Sequence, residues 1–497
     1  MAMHDRIRDV LTRAGDANGI EFDGRWHQMR EFASLLADLD QRLNAMGLGA
    51  HARIGLVARN RPAHVGAFAA LMATQRYVVM LYSAQSPEAI AADIRRLRLP
   101  LVIADSDDWT PQTLEAARDT GSAAIALSQH QGTLVAQPNL HVIGEDLRKT
   151  GDPAVAMELL SSGTTGPPKR VPLTVANFEQ SARDSAATYA SGRSDDTAGP
   201  NVVFHPLGNV AGVTFVIPFL FHGRPIALLE RFRLDSWLDA VRRHRPARTS
   251  LPPAVLRTLL DAHVPKEDLA SFASIGVGAA RLDPELQDQF ELRYGIPLLA
   301  AYGATEFCGV VANWTPDLYR EFGKLKRGSV GRARPGVRLR VIYSAAEREV
   351  APGAIGLLEA QVSRVGEEWI RTSDLAAIDA DGFLYLHGRA DGAINRGGFK
   401  ILPDDVARVL RQHEKVADAA VIGLPDLRLG AIPVAAVEPR DSAVLPTVQE
   451  LEAYARRSLV AYQVPVRFLI LAALPRNASM KVSLPDLYAL FEQSDDS

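Results

Sequence analysis

The sequence predicts an α/β protein: a large N-terminal domain of mainly parallel sheets covered by helices, then a smaller α+β domain. Three observations carry this. Apolar runs of strand length alternate with helix-length amphipathic stretches from Met29 to Ala104, the pattern of strand–helix–strand units. At 497 residues the chain exceeds one ordinary core, so it divides into at least two domains. From Ile394 on, the last hundred or so residues read as a smaller unit of alternating strands and helices. Hydrophobic residues at 47% and charged residues at 23% are globular values, which exclude a disordered or fibrous chain.

In chain order, residues 1–19 read as a short lead-in. Phe32, Leu35, Leu36, Leu39, Leu43 and Met46 recur at helical spacing, predicting a helix from Met29 to Leu48. Arg53–Ala58 reads as a buried strand, Ala63–Ala73 as a helix and Tyr77–Leu81 as a strand. A helix over Pro87–Leu97 and a strand over Leu101–Ala104 continue the alternation. Ala154–Leu160 is a strand running into a polar loop, and Val175–Tyr189 is helical. Val202–Gly212 is a strand entering a turn; within it His205 reads as a satisfied histidine at a strand end. The basic run Arg242–Arg245 ends a helix that starts at Leu234, where cations complement the helix dipole. In the last part, helices over Asp404–Gln412 and Val448–Leu459 alternate with strands over Ala419–Pro425, Pro433–Val437 and Arg467–Leu471.

Lys+Arg 55 against Asp+Glu 58 leaves a net charge of −3, so no general nucleic-acid or membrane surface is expected. The single Cys308 excludes an intrachain disulfide framework and fits a reducing compartment; it reads as a small buried residue rather than a nucleophile. No uninterrupted apolar run approaches ~18 residues, and the first residues lack a leader pattern. The tail Ser494-Asp495-Asp496-Ser497 matches no peroxisomal address. A cytoplasmic protein is the expectation.

The densest chemistry lies in Ser161-Ser162-Gly163-Thr164-Thr165-Gly166-Pro167-Pro168-Lys169. Glycines let backbone amides approach an anion, hydroxyls donate to phosphate oxygens, and an ammonium offsets their charge. The stretch reads as a phosphate cradle. It is not a Walker A loop, because that spacing is absent and Arg170 follows the lysine. Further on stand Gly278-Ala279-Ala280-Arg281-Leu282, Tyr302-Gly303-Ala304-Thr305-Glu306, Trp369-Ile370-Arg371-Thr372-Ser373-Asp374, Gly388-Arg389-Ala390-Asp391 and Leu474-Pro475-Arg476-Asn477-Ala478-Ser479-Met480-Lys481-Val482.

In this order these stretches resemble the adenylate-forming superfamily of acyl-CoA synthetases, firefly-type luciferases and peptide-synthetase adenylation domains, most of all an acyl-CoA ligase. The family's S-G-T-T-G-x-P-K stands intact; Arg170, Ser373 and Met480 replace usual glycines, and Arg281 a usual proline. The resemblance implies that Lys169 and the hydroxyls of Ser161, Ser162, Thr164 and Thr165, with Gly163 and Gly166, hold the β,γ-phosphates of ATP. Gly278, Ala279 and Ala280 would floor the adenine, on which Tyr302, next to Gly303, stacks. Thr305 would donate to the α-phosphate, Glu306 would bind Mg2+, and Asp374 with Arg389 would hold the ribose. Lys481 would bridge carboxylate and phosphate. Two anions must meet, so charge and orientation are what the chemistry needs; an ionised carboxylate requires no protein nucleophile.

The resemblance also implies domains at 1–390 and 391–497, with Asp391 as the hinge of a mobile lid. Rotation would bring Gly397, Gly398 and Lys400 to the site for thiol attack by coenzyme A. Asn209, Val210, Val213, Ile275, Val277, Cys308, Val310 and Val311 flank the expected acid pocket. They are mostly apolar, favouring an acyl or aromatic acid over a dicarboxylate. Three readings compete with a coenzyme A ligase: loading of an acyl or amino acid onto a carrier protein, a luciferase-like oxygenase, and a non-catalytic nucleotide sensor. Asn209 lacks the charge that would hold an amino acid's ammonium.

Overall fold

The computed structural model describes residues 2–130, 133–140, 143–148, 150–160, 170–190, 199–343, 348–390, 392–396, 399–477 and 479–494. They form two compact units. The first comprises residues 2–160, 170–249 and 304–309, and the second 250–303 and 310–494. The expected boundary at 390/391 lies inside the second unit.

The first unit is built on a seven-stranded sheet in the order Thr133–Leu140, Ala123–His130, Leu101–Asp105, Arg53–Ala58, Tyr77–Tyr82, Val155–Leu160, Arg170–Thr174. Its inner pairs are parallel and its two outer pairs antiparallel. The inner strands are buried on both faces, as parallel strands covered by helices must be. Every residue of helix Pro62–Ala73 is buried, which suits a helix that is apolar all round. Helix Met29–Ala45 buries one stripe, and a Gln28–Glu31 capping box closes its first turn. The lead-in expected over residues 1–19 is instead a helix, Met3–Arg13, that sends Met3, Ile7 and Leu11 into the core. Three apolar positions one turn apart, with charged residues between them, form the stripe that anchors it.

In the second unit, Ser274–Val277 and Leu298–Ala304 pair in parallel. From Ser329 onward the same sheet turns antiparallel, through Phe383–Arg389, Trp369–Ile378, Gly356–Val362 and Val337–Ile342. The expectation of mainly parallel sheets does not extend to this part. Most of its connections are too short for the dozen or so residues a parallel crossover requires: between Ile378 and Phe383 there is only a turn closed by Gly382 at φ 80°.

The C-terminal segment folds as the expected α+β arrangement. Strands Phe399–Ile401, Ile394–Arg396, Gly430–Pro439 and Val416–Asp426 form a sheet joined by Phe468–Ile470. Helices Pro403–Arg411 and Val448–Ser458 cover one face through Val406, Leu410 and Leu451; Leu484–Gln493 covers the other through Leu487 and Phe491. Successive strand residues, Val421 and Ile422 for example, go to opposite cores. No helix among the described residues is long and apolar enough to cross a membrane.

Candidate active site

Ser161 to Lys169, Asp391, Gly397 and Gly398 lie outside the described residues. The strands on either side of the loop are described: Val155–Leu160 and Arg170–Thr174 pair antiparallel with Leu160 opposite Arg170. Arg170 does there what a glycine could not. Its Nη1 donates to the Met80 carbonyl at 3.2 Å and its Nε lies 3.4 Å from Glu158. Glu158 also accepts from Arg53 at 3.3 Å and from the Tyr77 hydroxyl at 3.0 Å. Burial pushes the Arg170 pKa down, with Glu158 opposing.

Within the second unit four predicted site residues come together. Asp374 and Arg389 face each other across neighbouring strands. The Asp374 amide donates to the Thr372 hydroxyl at 3.0 Å, and that hydroxyl donates to the Leu358 carbonyl at 2.8 Å. Ser373, despite replacing a glycine, has no positive φ and accepts from the Ala390 amide at 2.7 Å. The Tyr302 hydroxyl donates to Asp374 Oδ2 in a short hydrogen bond. Burial, then Asp374, raises the Tyr302 pKa, so the phenol stays a donor.

Lys481 reaches the same neighbourhood from the C-terminal segment. The Asn477 side chain accepts from the amides of Ser479 and Lys481 at 3.0 and 3.1 Å, and the Asn477 amide donates to the Lys481 carbonyl at 2.8 Å. Met480 takes φ 61°, a left-handed conformation a glycine would adopt freely. Burial and Arg389 lower the Lys481 pKa, while Asp374 opposes them.

The remaining second-unit residues surround short turns. Ile275 and Val277 are buried; next to Gly278, Ala279 takes φ 70°, and a non-glycine residue held there marks backbone strain. Ala280 is exposed, as is Gly303 beside the buried Tyr302. Val310 is half-buried, its carbonyl accepting from Arg364 at 2.9 Å, and Val311 is buried. Lys400 pairs through its backbone with Asn395.

In the first unit, Thr305 and Glu306 occupy a short 3-10 turn closed by the Cys308 amide donating to the Thr305 carbonyl at 2.9 Å. Cys308 is buried, 3.8 Å from the Ser181 hydroxyl. Asn209 caps helix Val210–His222, its carbonyl accepting from the buried Val213. A Cβ on Gly212 would lie 2.1 Å from the Pro206 carbonyl oxygen, so only glycine lets this turn close. The reading of His205 as satisfied is corrected. Its ring is stacked between Phe204 and Phe215, its buried Nδ1 has no hydrogen-bond partner, and burial pushes its pKa down to about 4.

Magnesium takes one or two carboxylates together with substrate phosphates rather than an all-protein cage. Exposed Glu306, with no hydrogen bond or ion pair among the described residues, fits that donor set. No group of three or more potential ligands occurs among the described residues. Sequence reasoning did not single out Thr372 as the brace under Asp374, nor the Arg170–Glu158 pair. The first had a signal in its place two residues before Asp374; the second joins separate strands and had none.

The model of the family described as AMP-binding enzyme matches residues 7–371, and that of the AMP-binding enzyme C-terminal domain matches 405–481. A Humulus lupulus protein named "Probable CoA ligase CCL9" is 27% identical over 510 aligned positions, covering 96% of this chain and 94% of its own length. The sulfoacetate–CoA ligase of Cupriavidus necator is 30% identical over 392 positions, covering 74% of each chain. Among solved structures, o-succinylbenzoate coenzyme A synthetase from Bacillus subtilis, in complex with ATP and magnesium ion, superposes with a TM-score of 0.77 at 22% identity. That match covers 96% of this chain and 98% of the other, a likeness of fold.

Proposed function

The chain belongs to the AMP-binding enzyme family, and we propose that it is an ATP-dependent acid–thiol ligase that activates a carboxylic acid as its acyl-adenylate and passes the acyl group to coenzyme A. ATP supplies the adenylyl group, with pyrophosphate as leaving group. The residues of this chain bind, orient and neutralise. Lys169 and the hydroxyls of its loop hold the β,γ-phosphates, Glu306 holds Mg2+, and Asp374 with Arg389 holds the ribose. Lys481, desolvated beside Arg389, offers its ammonium to the incoming carboxylate and the α-phosphate. A buried cation short of a counter-charge is suited to an anionic transition state, and the convergence of Lys481 on Asp374 and Arg389 is the observation that carries this reading.

After adenylation, residues 391–497 rotate about Asp391 and bring Gly397, Gly398 and Lys400 toward the thiol. The acid is an acyl or aromatic monocarboxylate, the acceptor coenzyme A rather than a carrier protein, and the compartment cytoplasmic. Because sulfoacetate–CoA ligase is a relative, doubly charged acids belong in the test. Exchange of radiolabelled pyrophosphate into ATP is measured across short, medium, aromatic and dianionic acids. Thioester formation is then assayed with coenzyme A or a carrier protein. Exchange with at least one acid and thioester with coenzyme A is the expected result. Active-site-competent protein that exchanges with none would overturn it.

A further inference from the structure

A cavity in the second unit, of about 510 Å3, is lined by Arg257, Arg408, Arg440, His413, Tyr454 and Gln289, among others. None of these belongs to the candidate active site. Arg257 stands on helix Pro253–Asp261, Arg408 on helix Pro403–Arg411, and Arg440 directly after strand Gly430–Pro439. A fourth lining arginine, Arg411, is already matched by Asp283 at 2.9 Å and Asp418 at 3.5 Å.

The other three have donors left over. Arg257 makes no hydrogen bond and has no carboxylate within 4.0 Å among the described residues. Burial is the main influence on its guanidinium and lowers its pKa; Asp418 and Asp261 oppose this, while Arg440 and Arg411 add to it. Arg408 has only Asp405, at 3.5 Å, and its buried Nε is without a hydrogen-bond partner. Arg440 gives two donors to the carbonyls of Glu414 and Val416, at 3.1 and 2.9 Å, and its nearest carboxylate, Asp261, is 3.9 Å away. Among the described residues three acids also line the cavity: Asp283, engaged by Arg411, Glu285, engaged by Gln412 at 3.1 Å, and Glu414, so the four arginines outnumber the carboxylates by one. Guanidinium cannot escape burial by losing its proton. Its charge and its fork of donors must therefore be met by water or by an anion.

We propose that this cavity binds a phosphate dianion, free or as a monoester, held by Arg257, Arg408 and Arg440. Planar guanidinium forks match phosphate oxygens, and Tyr454, edge-on to His413 at 5.0 Å, gives an ester's body a ring to pack against. A bound anion ties helix Pro253–Asp261 to helix Pro403–Arg411 and so favours the arrangement described here.

The full-length protein is titrated with inorganic phosphate and, separately, with ribose 5-phosphate. Calorimetry gives affinity, and hydrogen exchange locates the effect. Slowed exchange in 253–261 and 403–411 is expected, with affinity falling about tenfold in Arg257→Gln and again in Arg408→Gln. Thermal melting of each variant confirms folding, and Lys169→Ala separates this site from the nucleotide site, since it retains the binding here. Tighter binding of the ester identifies it as the ligand; equal binding identifies the free anion. The proposal is overturned if neither anion slows exchange in these helices, or if both folded arginine variants bind as the wild type does.

Discussion

Two sets of partly buried cations in this protein are shifted in opposite directions. In the first unit, Arg59 donates from Nε to Asp108 Oδ2 at 2.8 Å and from Nη2 to Oδ1 at 2.5 Å. Arg61 donates to Asp105 at 2.9 Å, and the fully buried His64 meets the same carboxylate at 3.1 Å. The hydrogen bonds that Arg59 donates to Asp108 outweigh burial and raise the Arg59 pKa. Burial alone would raise Asp105, yet His64, the Asp107 amide and Arg61 draw it well below the ordinary carboxylate range. In the second unit, Lys481 and Arg257 are shifted the other way, because burial outweighs the acids near them. Matched charges tie strand ends together. Arg170 stands apart, since burial lowers its pKa although Glu158 lies 3.4 Å away; the presence and geometry of a partner carboxylate, more than the direction of shift, separates the two sets.

The strongest way to break this comparison is Lys481→Ala. Pyrophosphate exchange should fall about 10³-fold, while thioester formation from a supplied acyl-adenylate persists; equal loss of both half-reactions would contradict the division of labour. The same lysine sets a pH dependence. In the role proposed for it the protonated form is the active one, and its folded pKa is lowered. The ammonium is therefore lost, as pH rises, before an ordinary lysine would titrate near ~10.4. The alkaline limb of the exchange rate falls early, and Lys481→Arg should move whatever activity remains to a higher limb.

On the scaffold side, Asp108→Ala leaves the half-buried Arg59 with only Glu230, at 3.7 Å, as ion-pair partner among the described residues, and should cost about 2 kcal/mol in urea unfolding. An unchanged midpoint would place this pair with the weak surface bridges. Tyr302→Phe is a smaller change. Losing one hydrogen bond to Asp374 should cost about 1 kcal/mol, read as a several-fold higher KM for ATP and weaker discrimination against 2′-deoxy-ATP and 3′-deoxy-ATP. Unaltered discrimination would mean that the hydroxyl does not orient Asp374. Smallest of all, Met480→Gly should stabilise the chain by about 0.5 kcal/mol, the relief at φ 61° exceeding the entropy glycine adds to the unfolded chain. Calorimetric melting that shows a loss instead would mean the Met480 side chain packs usefully.

Much of the architecture was legible because it is local. Helix Pro87–Leu97 is found where its period placed it, with Ser86 accepting from the Ala89 amide at its N-terminus. The helices and strands between Met29 and Asp105 follow their apolar spacing closely. Helix Met3–Arg13 was legible too: Met3, Ile7 and Leu11 stand at i, i+4 and i+8 among charged residues, and reading residues 1–19 as a lead-in passed over that stripe. The antiparallel turn of the second unit's sheet was missed because strand patterns record which side of a strand is buried, not which neighbour it takes. For the site, the motifs located Asp374, Arg389, Tyr302 and Lys481 one by one. Nothing in their spacing revealed that the Tyr302 hydroxyl is engaged by Asp374, or that Arg170 meets Glu158.

The sequence by itself determined the order of helices and strands and the identity of the residues that carry charge, since both depend on side chains within a few turns of one another. Only the tertiary structure decided which of those charges are cancelled. That depends on long-range packing: it brings Asp108 to Arg59 and leaves Arg257 facing a cavity, and a cation's burial and counter-charge are properties of the assembled fold rather than of its neighbours in the chain.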